Sequence, residues 1–250
     1  GDSDLIPTGG GTGGSRSVTV QNTATLSTVD AIVTSFSAFL ARLEGVLVED
    51  VQFDHERFRV AGSNLTPTMV EVADMIRQSE KVELLDQSAT IKLDSRSFPN
   101  GAHIAEVAVD PDTGVVEIVK YTVVDDFGNL INPMLVEGQV HGGVVQGLGQ
   151  ALTERVVYDE DGQLLTATFM DYAMPRADDM PMIDFSTRGT PSLYNPMGMK
   201  GCGEAGTVGA LAAITNAMTD ALWDAGVRDA HMPFTPHRVW QMLKDARAAA

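Results

Sequence analysis

The chain has 250 residues and a formal net charge of −17, with 44% hydrophobic and 20% charged side chains. This is the composition of an ordinary globular protein, and so acidic a chain should repel nucleic acids and anionic lipid surfaces, so neither is an expected partner. A single cysteine excludes an internal disulfide, a four-cysteine zinc site and an iron–sulfur cluster held by this chain alone.

No segment is typical of a signal peptide or of a membrane span. The most apolar stretch, Ala205–Met218, is too short and contains Thr207, Thr215 and Asn216. The sequence opens on Gly1 in a polar run, which favours a chain cut from a longer polypeptide. We expect a cytoplasmic protein with no membrane partner.

Helices are predicted where apolar residues recur every three or four positions, and strands where short apolar or alternating runs lie between turn residues. In chain order the predicted elements are a helix at 29–44, strands at 46–53 and 57–61, a helix at 66–79, strands at about 82–93, 102–109 and 115–124, a helix at 134–152, strands near 154–158, 163–170 and 182–187, and helices at 205–225 and 236–246. Ser27 or Thr28 is the predicted cap of the first helix.

The order of these elements indicates the fold class. Hairpins lie among the helices without regular βαβ alternation, which favours an α+β fold of helices packed on antiparallel or mixed sheets. A helix-then-strands pattern occurs twice and suggests two related lobes, 1–100 and 101–250.

The glycines are distributed unevenly. Of 24 in the chain, five lie in each of three short windows, 9–14, 138–149 and 198–209. Glycine is retained where the backbone turns with positive φ or approaches another group closely. Three such windows predict one ligand approached by bare backbone from three sides.

The first window contains the letters GxGxxG, but a dinucleotide-binding fingerprint also needs a buried strand before it and a helix directly after it. The residues at 1–7 are no such strand. The continuation Ser15-Arg16-Ser17 matters more, because two hydroxyls, a guanidinium and free glycine N–H groups form a cradle for an anion. A flexible terminus is the alternative interpretation.

The second window places Gln139 and Gln146 two helical turns apart, on one face, beside Gly142 and Gly143. An amide both donates and accepts hydrogen bonds, which suits a heteroaromatic or phosphate-bearing ligand. A plain close-packed helix is the alternative. The histidines show no metal-binding spacing, so no metal ligands are predicted.

The third window places Glu204 at the start of an apolar helix, where the helix dipole favours a carboxylate. A simple capping carboxylate is the alternative interpretation. Cys202 is expected to be a small buried hydrophobe. Asp125 and Asp126 precede a turn and are expected to be solvated or capping carboxylates.

Taken together, ordered motifs resemble the C-terminal half of the molybdenum-binding large subunit of the xanthine dehydrogenase, aldehyde oxidase and carbon monoxide dehydrogenase family. The resemblance covers nearly all of 1–250. It is carried by GGTGGSRS at 10–17, INPMLVEGQVHGGVVQGLGQAL at 131–152, FMDYAMPRADDMP at 169–181, NPMGMKGCGEAGTVGA at 195–210 and TPHRVWQML at 235–243.

The resemblance implies a site for a molybdenum–molybdopterin cofactor, in wording most like the cytosine dinucleotide form of the bacterial branch. It makes Glu204 the active-site glutamate. The residues that it places on or near the cofactor are Gly14, Ser15, Arg16, Ser17, Gln139, Lys200 and Gly203.

The implied reaction is the oxidative hydroxylation of an aldehyde or N-heterocycle, a small molecule, with water as the oxygen source and Glu204 as the general base. The N-terminal half of the molybdenum subunit, 2Fe-2S clusters and FAD are then expected on partner subunits or domains, without which this chain is inactive. Two alternatives stay open. One is a non-catalytic scaffold or assembly module of the same fold, and the other is a nucleotide-binding hydrolase that uses Gly9–Gly14.

Overall fold

The computed structural model describes residues 2–5 and 9–249. It has an α+β fold, as predicted. The helices and strands are α1 (Ser17–Glu44), β1 (Val51–Asp54), β2 (Arg57–Val60), α2 (Met69–Gln78), β3 (Asn100–Val109), β4 (Val116–Asp126), α3 (Pro133–Leu152), β5 (Ile183–Thr187), α4 (Ala205–Trp223) and α5 (Pro236–Ala249). β1 and β2 form an antiparallel hairpin, whereas β4 pairs with β3 antiparallel and with β5 parallel, which makes the second sheet mixed.

The chain divides into two compact units. The smaller unit comprises Thr19–Asp94, and the larger comprises the residues up to Val18 together with those from Ser95 onward. The predicted lobes and their relatedness stay predictions. In the smaller unit, side chains of α1, the hairpin and α2 form one apolar core, built around Phe36, Phe39, Leu40, Phe58, Val72 and Ile76.

Helix α1 is long and apolar enough, by length and composition, to cross a membrane. Buried core helices pass the same test, and α1 contributes the buried side chains of Phe36, Phe39 and Leu40 to the core of the smaller unit. Because 28% of its apolar stretch is buried, α1 serves in part as a core helix.

In the larger unit, α3 and α4 cross closely and pack with the mixed sheet around Tyr121, Val144 and Ile214. Glycine makes the crossing possible. A Cβ on Gly147 would lie 2.7 Å from the Ala210 Cβ, and one on Gly206 would lie 2.5 Å from the Val140 carbonyl oxygen. The close-packed-helix interpretation is therefore correct for this part of the second glycine window.

The first helix was predicted to start too late. It begins at Ser17, directly after the glycine window, and the predicted cap Thr28 instead donates its hydroxyl to the Ala24 carbonyl, 2.9 Å away. Thr23 and Thr25 make the same bond to the carbonyls four residues before them. Hydroxyl residues have modest helix propensity, so this segment gave a false boundary signal.

Three predicted strands are wrong. Residues 82–85 form a 3₁₀ turn, and no strand follows up to residue 93. The segments 154–158 and 163–170 share one isolated bridge, Tyr158 to Leu164, around the predicted turn at 159–162. These runs are apolar enough for strands, but within residues 2–5 and 9–249 they make no continuous ladder with another segment.

Candidate functional site

The first and third glycine windows meet within the larger unit. The Ser15 hydroxyl donates a hydrogen bond to Oε2 of Glu204 over 2.9 Å. Gly14 and Ser15 adopt left-handed conformations, with φ of 62° and 57°. A side chain at Gly201 would collide with the Ser15 carbonyl, so this glycine is required for the close approach of the two loops.

Glu204 occupies the N-cap position of α4, but its side chain makes no capping hydrogen bond. Its backbone carbonyl accepts from Val208 in the first turn, while its carboxylate is turned toward Ser15. The capping interpretation therefore lacks the contact that would define it. The carboxylate is exposed at the N-terminal end of a 19-residue helix.

The second window contributes Gln139, whose amide donates to the Gly203 carbonyl over 3.4 Å. Gln146, two turns further along α3, has another role, since its side-chain oxygen accepts from Thr207 in the contact between α3 and α4. The two glutamines share a helix, but only Gln139 contacts the loop that carries Glu204.

The loop at 9–16 is held from within. The Arg16 guanidinium donates to the Gly11 carbonyl, and the hydroxyls of Thr12 and Ser17 form a hydrogen bond. Helix α1 begins at Ser17, so its N-terminus lies beside the loop, and helix N-termini favour anions. The described residues before the loop, 2–5, form a turn rather than a strand, which argues against a dinucleotide-binding fingerprint.

Lys200 has a structural partner. Its ammonium lies 2.6 Å from Oδ2 of Asp126, and both side chains are largely buried. The backbone N–H groups of Gly128 and Thr190 donate to the other carboxylate oxygen. Burial opposes ionisation of Asp126, but these donors outweigh it and lower the pKa of the carboxyl. This pair fixes the turn after β4 to the loop before Glu204. Asp126 is therefore not a solvated carboxylate, but it does cap the turn through the Gly128 N–H.

Asp125 was also predicted incorrectly. It is 2% exposed, and its Oδ1 lies 3.5 Å from Nε2 of His103. Both residues line a cavity of about 380 Å³, together with Ser15, Arg96 and Glu204. Sequence reasoning missed His103 because nothing marks it until the register of β3 and β4 is known. The half-buried Cys202 agrees better with its prediction, and burial raises the pKa of its thiol.

Comparison with known proteins identifies the class to which this fold and site belong. A family model described as "Molybdopterin cofactor-binding domain" matches residues 1–181. The gamma subunit of the 6-hydroxypseudooxynicotine dehydrogenase complex of Paenarthrobacter nicotinovorans is 34% identical over 99% of the chain and 32% of its own length. The large subunit of nicotine 6-hydroxylase from the same organism is 44% identical over 59% of the chain and 18% of its own length.

Among solved structures, reconstituted CO dehydrogenase from Oligotropha carboxidovorans superposes with a TM-score of 0.86 at 32% identity, over 100% of this chain and 32% of that one. The class is thus that of cofactor-binding domains of molybdenum oxidoreductases. The chain belongs to the molybdopterin cofactor-binding domain family. It spans about a third of the length of the first relative it matches.

Proposed function

We propose that this chain carries part of the catalytic site of a molybdenum hydroxylase that oxidatively hydroxylates an aldehyde or N-heterocyclic substrate, with water as the oxygen source. The observation that carries the proposal is the contact between Ser15 and Glu204 where two glycine windows meet. Two relatives named for nicotine and a nicotine derivative support an N-heterocyclic type of substrate.

The residues present fit an anionic organic cofactor. The backbone N–H groups of the loop are open to a ligand. Gly13 and Gly14 carry no side chain, and even a Cβ added at either position would meet no atom within 4 Å. The chain has a formal net charge of −17, which repels a pyrophosphate. A bound pyrophosphate must therefore be held by local hydrogen-bond donors such as these. We assign Gly14, Ser15, Arg16, Ser17, Gln139 and Gly203 to this cofactor, in its cytosine dinucleotide form.

When bound, the cofactor supplies the two-electron redox chemistry. Within the described ranges, 2–5 and 9–249, no group of three or more His, Cys, Asp or Glu side chains is placed to hold a metal ion. We therefore propose that the organic part of the cofactor binds the metal and that this chain supplies no metal ligand. Lys200 is left out of the cofactor set because its ammonium is already paired with Asp126.

Glu204 acts as the general base in this proposal. Its carboxylate would accept the proton from the water-derived hydroxyl that attacks the substrate carbon, and the two electrons of the C–H bond that breaks would go to the bound cofactor. The Ser15 hydroxyl holds one carboxylate oxygen, Oε2, and leaves Oε1 to receive the proton.

Partners complete the enzyme. Because the chain spans about a third of its first relative, we propose that the remainder of the molybdenum subunit packs on it, and that 2Fe-2S and flavin subunits accept the electrons. Large apolar side chains of the larger unit are available for that packing: Phe169, Met170, Met182 and Leu193 are each more than 80% exposed. We place the assembled enzyme in the cytoplasm.

The test is Glu204→Gln in the assembled enzyme. Glutamine keeps the size of the side chain but accepts no proton at neutral pH, so we expect turnover to fall by about 10²–10⁴-fold. Folding and molybdenum content should stay unchanged. Glu137→Gln, at an exposed position on α3, is the matched control for the lost charge. Near-normal turnover of Glu204→Gln would reject the catalytic role and favour a scaffold module.

A further inference from the structure

A row of polar side chains lies buried on one face of the mixed sheet. In the register of β3 and β4, Gly101 pairs with Asp125 and Ala105 with Tyr121, which places His103 between the two β4 side chains. The Tyr121 hydroxyl lies 2.9 Å from Nδ1 of His103, and Nε2 of the same ring lies 3.5 Å from Oδ1 of Asp125. We call His103, Tyr121 and Asp125 the buried polar row.

Two glycines make space for this row. A Cβ on Gly101 would overlap the Asp125 carboxylate, and one on Gly209, in α4, would lie 2.5 Å from the His103 ring. The row is therefore enclosed by the neighbouring strand and by the helix that follows Glu204. This close enclosure fixes the orientation of the Asp125 carboxylate.

The second oxygen of that carboxylate, Oδ2, is buried and has no hydrogen-bond partner among the described residues. A buried acceptor without a donor costs about 1–3 kcal/mol, and more when it is charged. Asp125 and His103 line the same cavity of about 380 Å³ as Ser15 and Glu204. The unpartnered oxygen thus belongs to a residue on the wall of the cavity that the proposed base also lines.

We propose that Asp125 Oδ2 is a binding group for a small ligand in this cavity and accepts a hydrogen bond from an N–H or O–H of that ligand. The proposal deepens the proposed function, on which it rests for the identity of the cavity. His103 is the positioning residue, because its Nε2 lies beside the other carboxylate oxygen, Oδ1. The wall of the cavity carries Arg96 as well as two carboxylates, so the ligand is defined by the N–H or O–H that it offers to Oδ2 rather than by its net charge.

The donor has two sources, a ring or amino N–H of the organic cofactor or an N–H or O–H of the substrate. Both present the same chemistry to Asp125. The cavity volume is suited to a small heterocycle rather than a macromolecular partner. The two sources are separated by measuring cofactor content and small-ligand binding independently.

The experiment compares the assembled wild-type enzyme with Asp125→Asn and with Tyr121→Phe. Tyr121→Phe is the matched control, since it removes a hydroxyl from the buried polar row but leaves Oδ2 in place. Each protein is titrated with imidazole, which carries an N–H, and with 1-methylimidazole, which does not. Molybdenum and released cytidine nucleotide are measured in the same preparations.

For a substrate-side donor, we expect the wild-type preference for imidazole over 1-methylimidazole to fall about tenfold or more in Asp125→Asn and to persist in Tyr121→Phe. For a cofactor-side donor, Asp125→Asn loses molybdenum and nucleotide while Tyr121→Phe retains them. Unchanged binding and unchanged cofactor content in Asp125→Asn overturn the proposal, and so do equal effects of the two variants. If the wild-type enzyme contains no molybdenum, that result contradicts the proposed function instead. The preference for imidazole over 1-methylimidazole then still tests whether Asp125 binds a ligand.

Discussion

The glycines of the larger unit are of two kinds. Those where α3 crosses α4, such as Gly147 and Gly206, have protein atoms where a Cβ would lie, whereas Gly9, Gly11 and Gly13 have nothing within 4 Å. The first kind is explained by the packing of the chain against itself. The second kind is not, since none of the described residues comes close enough to require a glycine there. The comparison supports the proposal that the loop before α1 keeps its backbone bare for a ligand.

The largest predicted effect is on the free energy of unfolding, and it separates two glycine substitutions within α3. Gly147→Ala forces a methyl group against Ala210 and the Thr207 carbonyl, so we expect a loss of about 1–3 kcal/mol in the free energy of unfolding. Gly142→Ala meets open space and replaces a poor helix former, so it should gain up to about 1 kcal/mol. Denaturant unfolding followed by circular dichroism measures both. Effects of the same sign would show that the distinction between the two kinds of glycine is wrong.

A smaller loss of stability is expected when the ion pair that fixes the loop before Glu204 to β4 is broken. Asp126→Asn removes the partner of Lys200, and we expect a loss of about 1–2 kcal/mol at pH 7. Because the folded state lowers the pKa of Asp126 below the ordinary aspartate value of 3.8, its stabilisation is complete above that value. It is lost as the pH falls through the lowered pKa.

The stability difference between wild type and Asp126→Asn should therefore shrink below about pH 4. Unfolding curves recorded from pH 7 down to pH 3 measure it. Asp184→Asn, at an exposed position on β5, is the control and should show little difference at any pH. A difference for Asp126→Asn that stays constant down to pH 3 would contradict the assignment.

Much of the fold follows from local patterns. Pro133, the glycine-bearing run after it and Pro236 mark helices that the structure contains within a few residues of their predicted bounds. The turn at Gly114, with φ of 74°, joins β3 and β4 as expected. Strands were predicted wrongly where pairing decides the outcome, since residues 154–170 have strand-like composition but make one isolated bridge.

The candidate site was predictable only in part. The glycine windows and the family resemblance point to Glu204, Ser15 and Gln139, and the structure brings these three residues together. They do not indicate that Lys200 is paired with Asp126, because that contact joins positions 74 residues apart. Asp125 was missed for a related reason, since its burial depends on strand register rather than on its neighbours in sequence.

The central claim is that the bare loop before α1 holds an anionic cofactor, and Arg16 tests it most directly. The measurement is the molybdenum and cytidine nucleotide content of the assembled enzyme carrying Arg16→Ala, with Arg42→Ala, at the other end of α1, as the control for lost charge. Losing a charge-assisted hydrogen bond should weaken cofactor retention about tenfold or more, while Arg42→Ala retains wild-type content. Wild-type cofactor content in Arg16→Ala would contradict the account.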